Sequence, residues 1–398
     1  MNRAAAPAPA PLRFEALDGW RGVCACLVVL FHFHGYSPLY VSPFIRNSYL
    51  FVDFFFVLSG FVIAWNYANR LDTWNSVKRF FVLRVGRVYP LHLFMLLCFV
   101  GYEGAVLMNA RSQGFGDHGF DGENGPFSFV TNLLLIHSLN VHDGLTWNGP
   151  SWSISTELWT YVVFGLLSLW VGMRNWMLLV AAVAAPVLLF NLSTTGMDTT
   201  YDYGIIRCIF GFALGAACHR MHGFVAARSK NAGTGVMTLA ECGVVAAVIA
   251  FVAAAGTGAL SFMAPYVFAL AVLVFAVEGG LVSRVFRHPV FKWLGTLSYS
   301  IYLTHFLFVL LVPRVVKRVV REDLWTAMPL PNGQYLMAFG RDNIEGTLYY
   351  ALVLVITLAF SAFTYRWVET PGREWTRRWL NRPGAQSRGK PAQASQPR

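Results

Sequence analysis

Residues 21–35 read RGVCACLVVLFHFHG. Taken with its flanks, positions 17–37, this is an apolar run of the roughly 20 residues that a membrane-crossing helix needs. Its apolar residues fall on every side of a helical projection, as in a helix enclosed by lipid or protein. Yet Arg21 stands at its start, and His32 and His34 stand near its end. A charge at membrane depth costs about 2.5–3.5 kcal/mol on insertion scales, so such residues are kept where they work. Eleven residues at about 1.5 Å each put His32 about 16 Å beyond Arg21. Eleven steps of about 100° bring the two back to one face. His34 points elsewhere, so His32 is the histidine that shares a face with Arg21.

The rest of the chain agrees with a membrane reading. Of 398 residues, 56% are hydrophobic, 16% aromatic and only 13% charged, and the mean hydropathy is +0.49. Soluble proteins carry about 25% charged residues. The net charge of +11 does not signal nucleic acid, because the basic residues sit at the ends of apolar runs and in the tails. The six cysteines lie in or beside apolar runs without metal-ligand spacing and read as small buried apolar groups, so no metal is implied.

The expected fold is an all-α integral membrane protein. It is a bundle of about ten transmembrane helices, at 17–37, 49–68, 86–107, 156–172, 176–192, 203–219, 236–256, 261–280, 294–313 and 346–365. A short re-entrant or buried helix is expected at 129–141, FVTNLLLIHSLNV. Residues 1–16 read as a disordered cytoplasmic tail, 17–372 as the transmembrane domain, and 373–398 as a basic, flexible cytoplasmic tail. With both termini inside, Arg70, Lys78, Arg79, Arg84, Arg87, Arg174, Arg220, Arg228, Lys230, Arg284, Arg287 and Lys292 all fall on the inner side. The exception is RVVKRVVR at 314–321, which reads as an amphipathic interfacial helix.

Depth then sorts the polar residues. Asp53, early in the second span, and Glu157, early in the fourth, belong to the outer level with His32, and either is a candidate to pair with its imidazole. Arg84 and Arg87 are three apart on one face at the inner mouth, near Arg21. Guanidinium forks match phosphate oxygens. A basic inner pole and an acid–base outer pole suit a long donor with phosphates at one end and a reactive group at the other, the shape of a coenzyme A thioester. Ser153, Ser155, Tyr302 and His305 are further candidates to line the cavity between the poles. Ser153 and Ser155 also serve as candidate helix caps.

The stretches LDGWRGVCACLVVLFHF (17–33), VDFFFVLSGFVIA (52–64), LRVGRVYPLHL (83–93), NLLLIHSL (132–139), WNGPSWSISTELWTYVVFGLL (147–167), LGTLSYSIYLTHF (294–306) and WVETPGR (367–373) follow one another as in a known group of proteins. Through them the chain resembles the membrane acyltransferase-3 family, O-acyltransferases of cell-surface glycans and some small molecules. One departure is that the family's acidic doublet is here Thr156–Glu157. The resemblance implies an acyl-CoA co-substrate, most simply acetyl-CoA, entering from the cytosol with Arg21, Arg84 and Arg87 at its phosphates. It implies His32 as the base, a carbohydrate or glycoside acceptor at the outer face, and residence in the bacterial inner membrane, with no bound cofactor and no nucleic acid. Glu157 and Asp53 accompany His32 as catalytic candidates. The rival reading is a proton-coupled transporter or flippase, which uses the same intramembrane charges. It would be expected to show internal repeats and matched broken helices, and the sequence has neither.

Overall fold

A computed structural model describes residues 14–112, 120, 122–172, 174–330 and 333–382. In chain order α1 is Glu15–His32, α2 Phe51–Tyr67, α3 Trp74–Ser112, α4 Pro126–Leu133, α5 Trp152–Trp170 and α6 Asn175–Leu192. There follow α7 Gly204–Ser229, α8 Thr234–Ala255, α9 Ala264–Phe275, α10 Pro289–Val320, α11 Asn343–Thr364 and α12 Thr370–Leu380. Between α10 and α11 lies an antiparallel hairpin, β1 Trp325–Pro329 and β2 Tyr335–Phe339, with Trp325 opposite Phe339.

Every apolar stretch picked from the sequence overlaps one of these helices. Among the described residues, seven are long and apolar enough to cross a membrane: α2 with its leading turn, α3, α6, α7, α8, α10, and α11 continued into α12. α1 and α5 are not among the seven. They are the helices that carry Arg21 with His32 and Ser153 with Glu157, so their polar residues are what depress their apolarity.

The bundle is apolar outside as well as inside. α6 buries only the stripe Leu178, Ala182, Ala185 and Leu189, while Leu179, Val180, Val183, Val187 and Phe190 are exposed. Such a surface suits lipid and not water. α2 is the most enclosed of the seven, with 78% of its apolar window buried. Its Phe51, Phe54, Phe56 and Phe61 pack with Phe210 of α7 and Phe268 and Phe275 of α9. The SGF stretch at 59–61 is a packing device: a Cβ on Gly60 would run into the backbone of Phe212 on α7, so only glycine allows this approach. Cys24, Cys208 and Cys218 are buried as expected, whereas Cys242 is exposed.

Four expectations need correction. Of the stretch 129–141, only the part up to Leu133 is helical, in α4. The chain leaves that helix through Leu135 at φ 53°, with Ile136 N–H donating to the Thr131 carbonyl, a Schellman-type stop. α4 is buried on one side only, through Ser128, Thr131 and Asn132. The basic stretch 314–321 is not a separate helix: it is the last turns of α10, which ends where Arg321 turns left-handed at φ 62°. α1 begins at Glu15, two residues inside the segment expected to be a tail; residues 1–13 lie outside the described residues. The C-terminal tail does not begin at 373. A π-helical turn at Tyr365–Glu369 links α11 to α12, which continues to Leu380, and 383–398 lie outside the described residues.

Candidate active site

α1 and α10 run side by side in the same direction. The Arg21 guanidinium donates to Ser298 Oγ at 2.9 Å, and farther along the pair His32 Nδ1 lies 3.2 Å from His305 Nε2. His32 Nδ1 is also 2.9 Å from the Val28 carbonyl one turn back. A carbonyl only accepts, so that bond assigns the proton to Nδ1 and leaves the Nε2 lone pair free. His305 is fully buried and His32 is part-buried. The rings of Phe31 and Phe306 flank His32 at 4.8 and 5.8 Å.

Neither acid expected beside His32 is there. Asp53 is fully buried and faces α7 instead. Arg207 Nε and Nη2 donate to its two carboxylate oxygens at 2.9 and 2.8 Å. Arg207 also donates to the carbonyls of Thr199 and Tyr49 and lies over the rings of Trp152 and Tyr49. This buried pair fastens α2 to α7. The signal for it was a single arginine four residues into the apolar run YGIIRCIFGF.

Glu157 belongs to the arginine pole. On α5, Ser153, Glu157 and Tyr161 recur every four residues and make one stripe. The stripe lines a cavity of about 130 Å³ together with Arg21, Arg84 and Arg87. Tyr161 Oη donates to Glu157 Oε1 at 2.6 Å and lies 2.8 Å from Ser59 Oγ. At the far end of the cavity Tyr302 donates to the Pro150 carbonyl at 3.1 Å and receives a hydrogen bond from Ser153 at 2.9 Å. Beyond Tyr302 stand His305, with ring centroids 6.0 Å apart, and then His32, 4.8 Å farther. Ser153 and Tyr302 therefore line the cavity, but His305 and Ser155 do not. Ser155 is spent on the Leu135 carbonyl, 2.7 Å away, and His305 is the neighbour of His32.

A wider cavity of about 510 Å³ opens from the arginine end. Arg21, Arg84 and Arg87 line both spaces and so form the neck between them. Arg373 and Arg377 of α12 line the wide space, with Trp65, Tyr67 and Glu369. The sequence reading missed these two arginines because it placed them in a flexible tail. Their signal was the TPGREWTRRWL pattern, a proline-started helix with tryptophans on one side. Arg87 and Arg377 have no hydrogen-bond or ion-pair partner among the described residues, and the buried Nε of Arg84 has none either. The cavity thus holds donors in surplus, in a part-enclosed place where charge-assisted hydrogen bonds to an anion are strong.

Comparisons with known proteins bear on this site. A family model described as an acyltransferase domain matches residues 14–366. Over 191 residues the chain is 35% identical to Protein 2 in picA locus of Rhizobium radiobacter, covering 45% of this chain and 94% of that protein. It is 22% identical over 394 residues to the peptidoglycan O-acetyltransferase OatA of Listeria monocytogenes, covering 90% of this chain but 56% of OatA. It is 33% identical over 118 residues to the acyltransferase MdmB of Streptomyces mycarofaciens, 29% of this chain and 27% of MdmB. No solved structure matches the chain.

Proposed function

The chain belongs to the membrane acyltransferase-3 family, and from that premise we propose that it transfers an acetyl group from cytosolic acetyl-CoA to a hydroxyl of a carbohydrate or glycoside at the outer side of the bacterial plasma membrane. At the coarser level it is a multi-pass membrane acyltransferase. The finer reading has ten crossings, with both termini and α12 on the cytosolic side. Acyl-CoA is a co-substrate and not a resident group.

The observation that carries the reading is one cavity system that begins among arginines and ends at Tyr302, one ring short of His305 and His32. In this reading Arg21, Arg84 and Arg87 hold the donor's phosphates at the neck. The acyl arm lies along Ser59, Phe55 and Ser153, and Tyr302 is the threshold to the histidines. The acceptor oxygen attacks the thioester carbonyl carbon while His32 Nε2 takes its proton. The C–S bond breaks, and the proton passes from the imidazolium to the departing thiolate, giving an ester and free coenzyme A. General-base help of this kind is worth about 10²–10⁴-fold. Glu157, set among the arginines, steadies them in the absence of donor and is not the partner of His32. Asp53 keeps a structural role through Arg207.

The test is coenzyme A release by the purified protein in nanodiscs, given acetyl-CoA with and without a surface-glycan extract. Release that needs the acceptor and disappears in His32→Ala supports the reading. Release that survives in His32→Ala removes His32 as the base. Absence of any acetyl-CoA binding removes acetyl-CoA as the donor.

A further inference from the structure

We infer that Arg373 and Arg377 of α12 form a separate phosphate-monoester subsite, which reads the 3′-phosphate of the donor nucleotide. The inference rests on the acyl-CoA reading above and adds what selects that donor over its dephosphorylated form. Two observations lead to it.

The first is the order of groups along the cavity. Arg21, Arg84 and Arg87 stand at the neck, whereas Arg373 and Arg377 line only the wide space. Coenzyme A has its charges at two separate places. The pyrophosphate adjoins the thin pantetheine arm, and the 3′-phosphate sits on the ribose at the bulky nucleoside end. A donor whose arm occupies the narrow cavity leaves its pyrophosphate at the neck. Its nucleoside then lies in the wide space, with the 3′-phosphate near α12. Trp65 and Tyr67 line the same space and offer aromatic surface to the adenine.

The second is how deliberately α12 is held there. Gly86 lies between Arg84 and Arg87 in LRVGR, and a Cβ on it would strike the side chain of Thr376. A Cβ on Gly372 would strike the ring of Pro90 on α3. The close contact therefore sets Arg373 and Arg377, which flank Thr376, beside the neck arginines. Arg373 is braced by Glu369 at 3.3 Å, and Glu369 in turn accepts from Ser300 at 3.0 Å. Arg377 has no hydrogen-bond or ion-pair partner among the described residues. One arginine is thus fixed in place and the next is free to close on a phosphate, the bond geometry for which guanidinium is suited.

The experiment measures binding of acetyl-CoA and of 3′-dephospho-acetyl-CoA to the full chain in nanodiscs, for wild type, Arg377→Ala, Arg377→Glu and Arg87→Ala. The Arg377 side chain is exposed and has no hydrogen-bond or ion-pair partner among the described residues, so its replacement leaves folding intact. We expect wild type to prefer acetyl-CoA about tenfold, the worth of one charge-assisted bond. That preference falls toward one in Arg377→Ala and to one or below in Arg377→Glu. Arg87→Ala weakens both thioesters alike. Equal binding of the two thioesters by wild type, or a preference unchanged in Arg377→Glu, overturns the subsite while the donor reading stands. Binding of neither thioester by wild type overturns both. Each series is run in phosphatidylcholine discs and in discs containing phosphatidylglycerol. An effect of Arg377→Glu seen only with the anionic lipid assigns the arginine to lipid headgroups and also overturns the subsite.

Discussion

Arginine meets carboxylate in two places inside this bundle, and the two are built differently. At Arg207 all three guanidinium nitrogens are engaged, by Asp53 and the carbonyls of Thr199 and Tyr49, and both partners are within 1% of complete burial. Around the neck and the wide cavity five arginines face Asp18, Glu157 and Glu369, and the side chains of Arg87 and Arg377 have no hydrogen-bond or ion-pair partner among the described residues. A buried charge is tolerated when it is fully paired, and removing one partner is then costly. A surplus of one sign in a cavity is the mark of a place that takes in an opposite charge from outside. The same residue type is a fastener in one place and a receptor in the other, and the count of partners tells them apart.

Substitutions sharpen this contrast. His32→Ala, which touches neither arginine set, is expected to lower acceptor-dependent coenzyme A release by about 10²–10⁴-fold with an unchanged melting temperature. Asp53→Asn is expected to cost about 3–5 kcal/mol of stability, read as loss of folded protein in detergent melting curves. Arg207→Met added to it should recover about half of that loss, because no unpaired charge is left behind. Equal stability of Asp53→Asn and wild type would end the fastener reading. Arg87→Ala should do the opposite: acetyl-CoA binding weakens about tenfold, while the melting temperature holds or rises. A stability loss as large as that of Asp53→Asn would erase the distinction between the two places. Tyr302→Phe removes one hydroxyl with two hydrogen bonds and should cost only about 1 kcal/mol, visible as a small drop in release rate with donor affinity unchanged.

Which residues share a face of one helix was legible in the sequence; which neighbour that face meets was not. Apolar run lengths located the helices, and the 11-residue spacing on α1 correctly put Arg21 and His32 on one side, toward α10. The i, i+3 spacing of Arg84 and Arg87 placed both at the neck. Asp53 was set at the right end of α2 but assigned the wrong neighbour, because helix position alone does not say which of several helices a side chain faces. Gly60, which draws α7 against α2, turned Asp53 to Arg207. Glu157 went astray along the axis instead: it shares a face of α5 with Ser153, but one turn carries it from Tyr302 to the arginines. α12 was missed because proline, glycine and a high charge content outweighed its two tryptophans. Its stability comes from contact with Gly86 and Pro90 of α3, which no local pattern within α12 can announce.

The π-helical turn at Tyr365–Glu369 sets the angular phase between a lipid-embedded rod and the short helix that follows it. Each residue inserted or deleted in a helix rotates everything beyond it by about 100°. Removing a single residue from that turn would keep α11 and the composition of α12 intact, yet swing Arg373 and Arg377 away from the cavity and bring Glu374 and Arg378 round in their place. The address of the two arginines is therefore written in the number of residues before them as much as in their own identity.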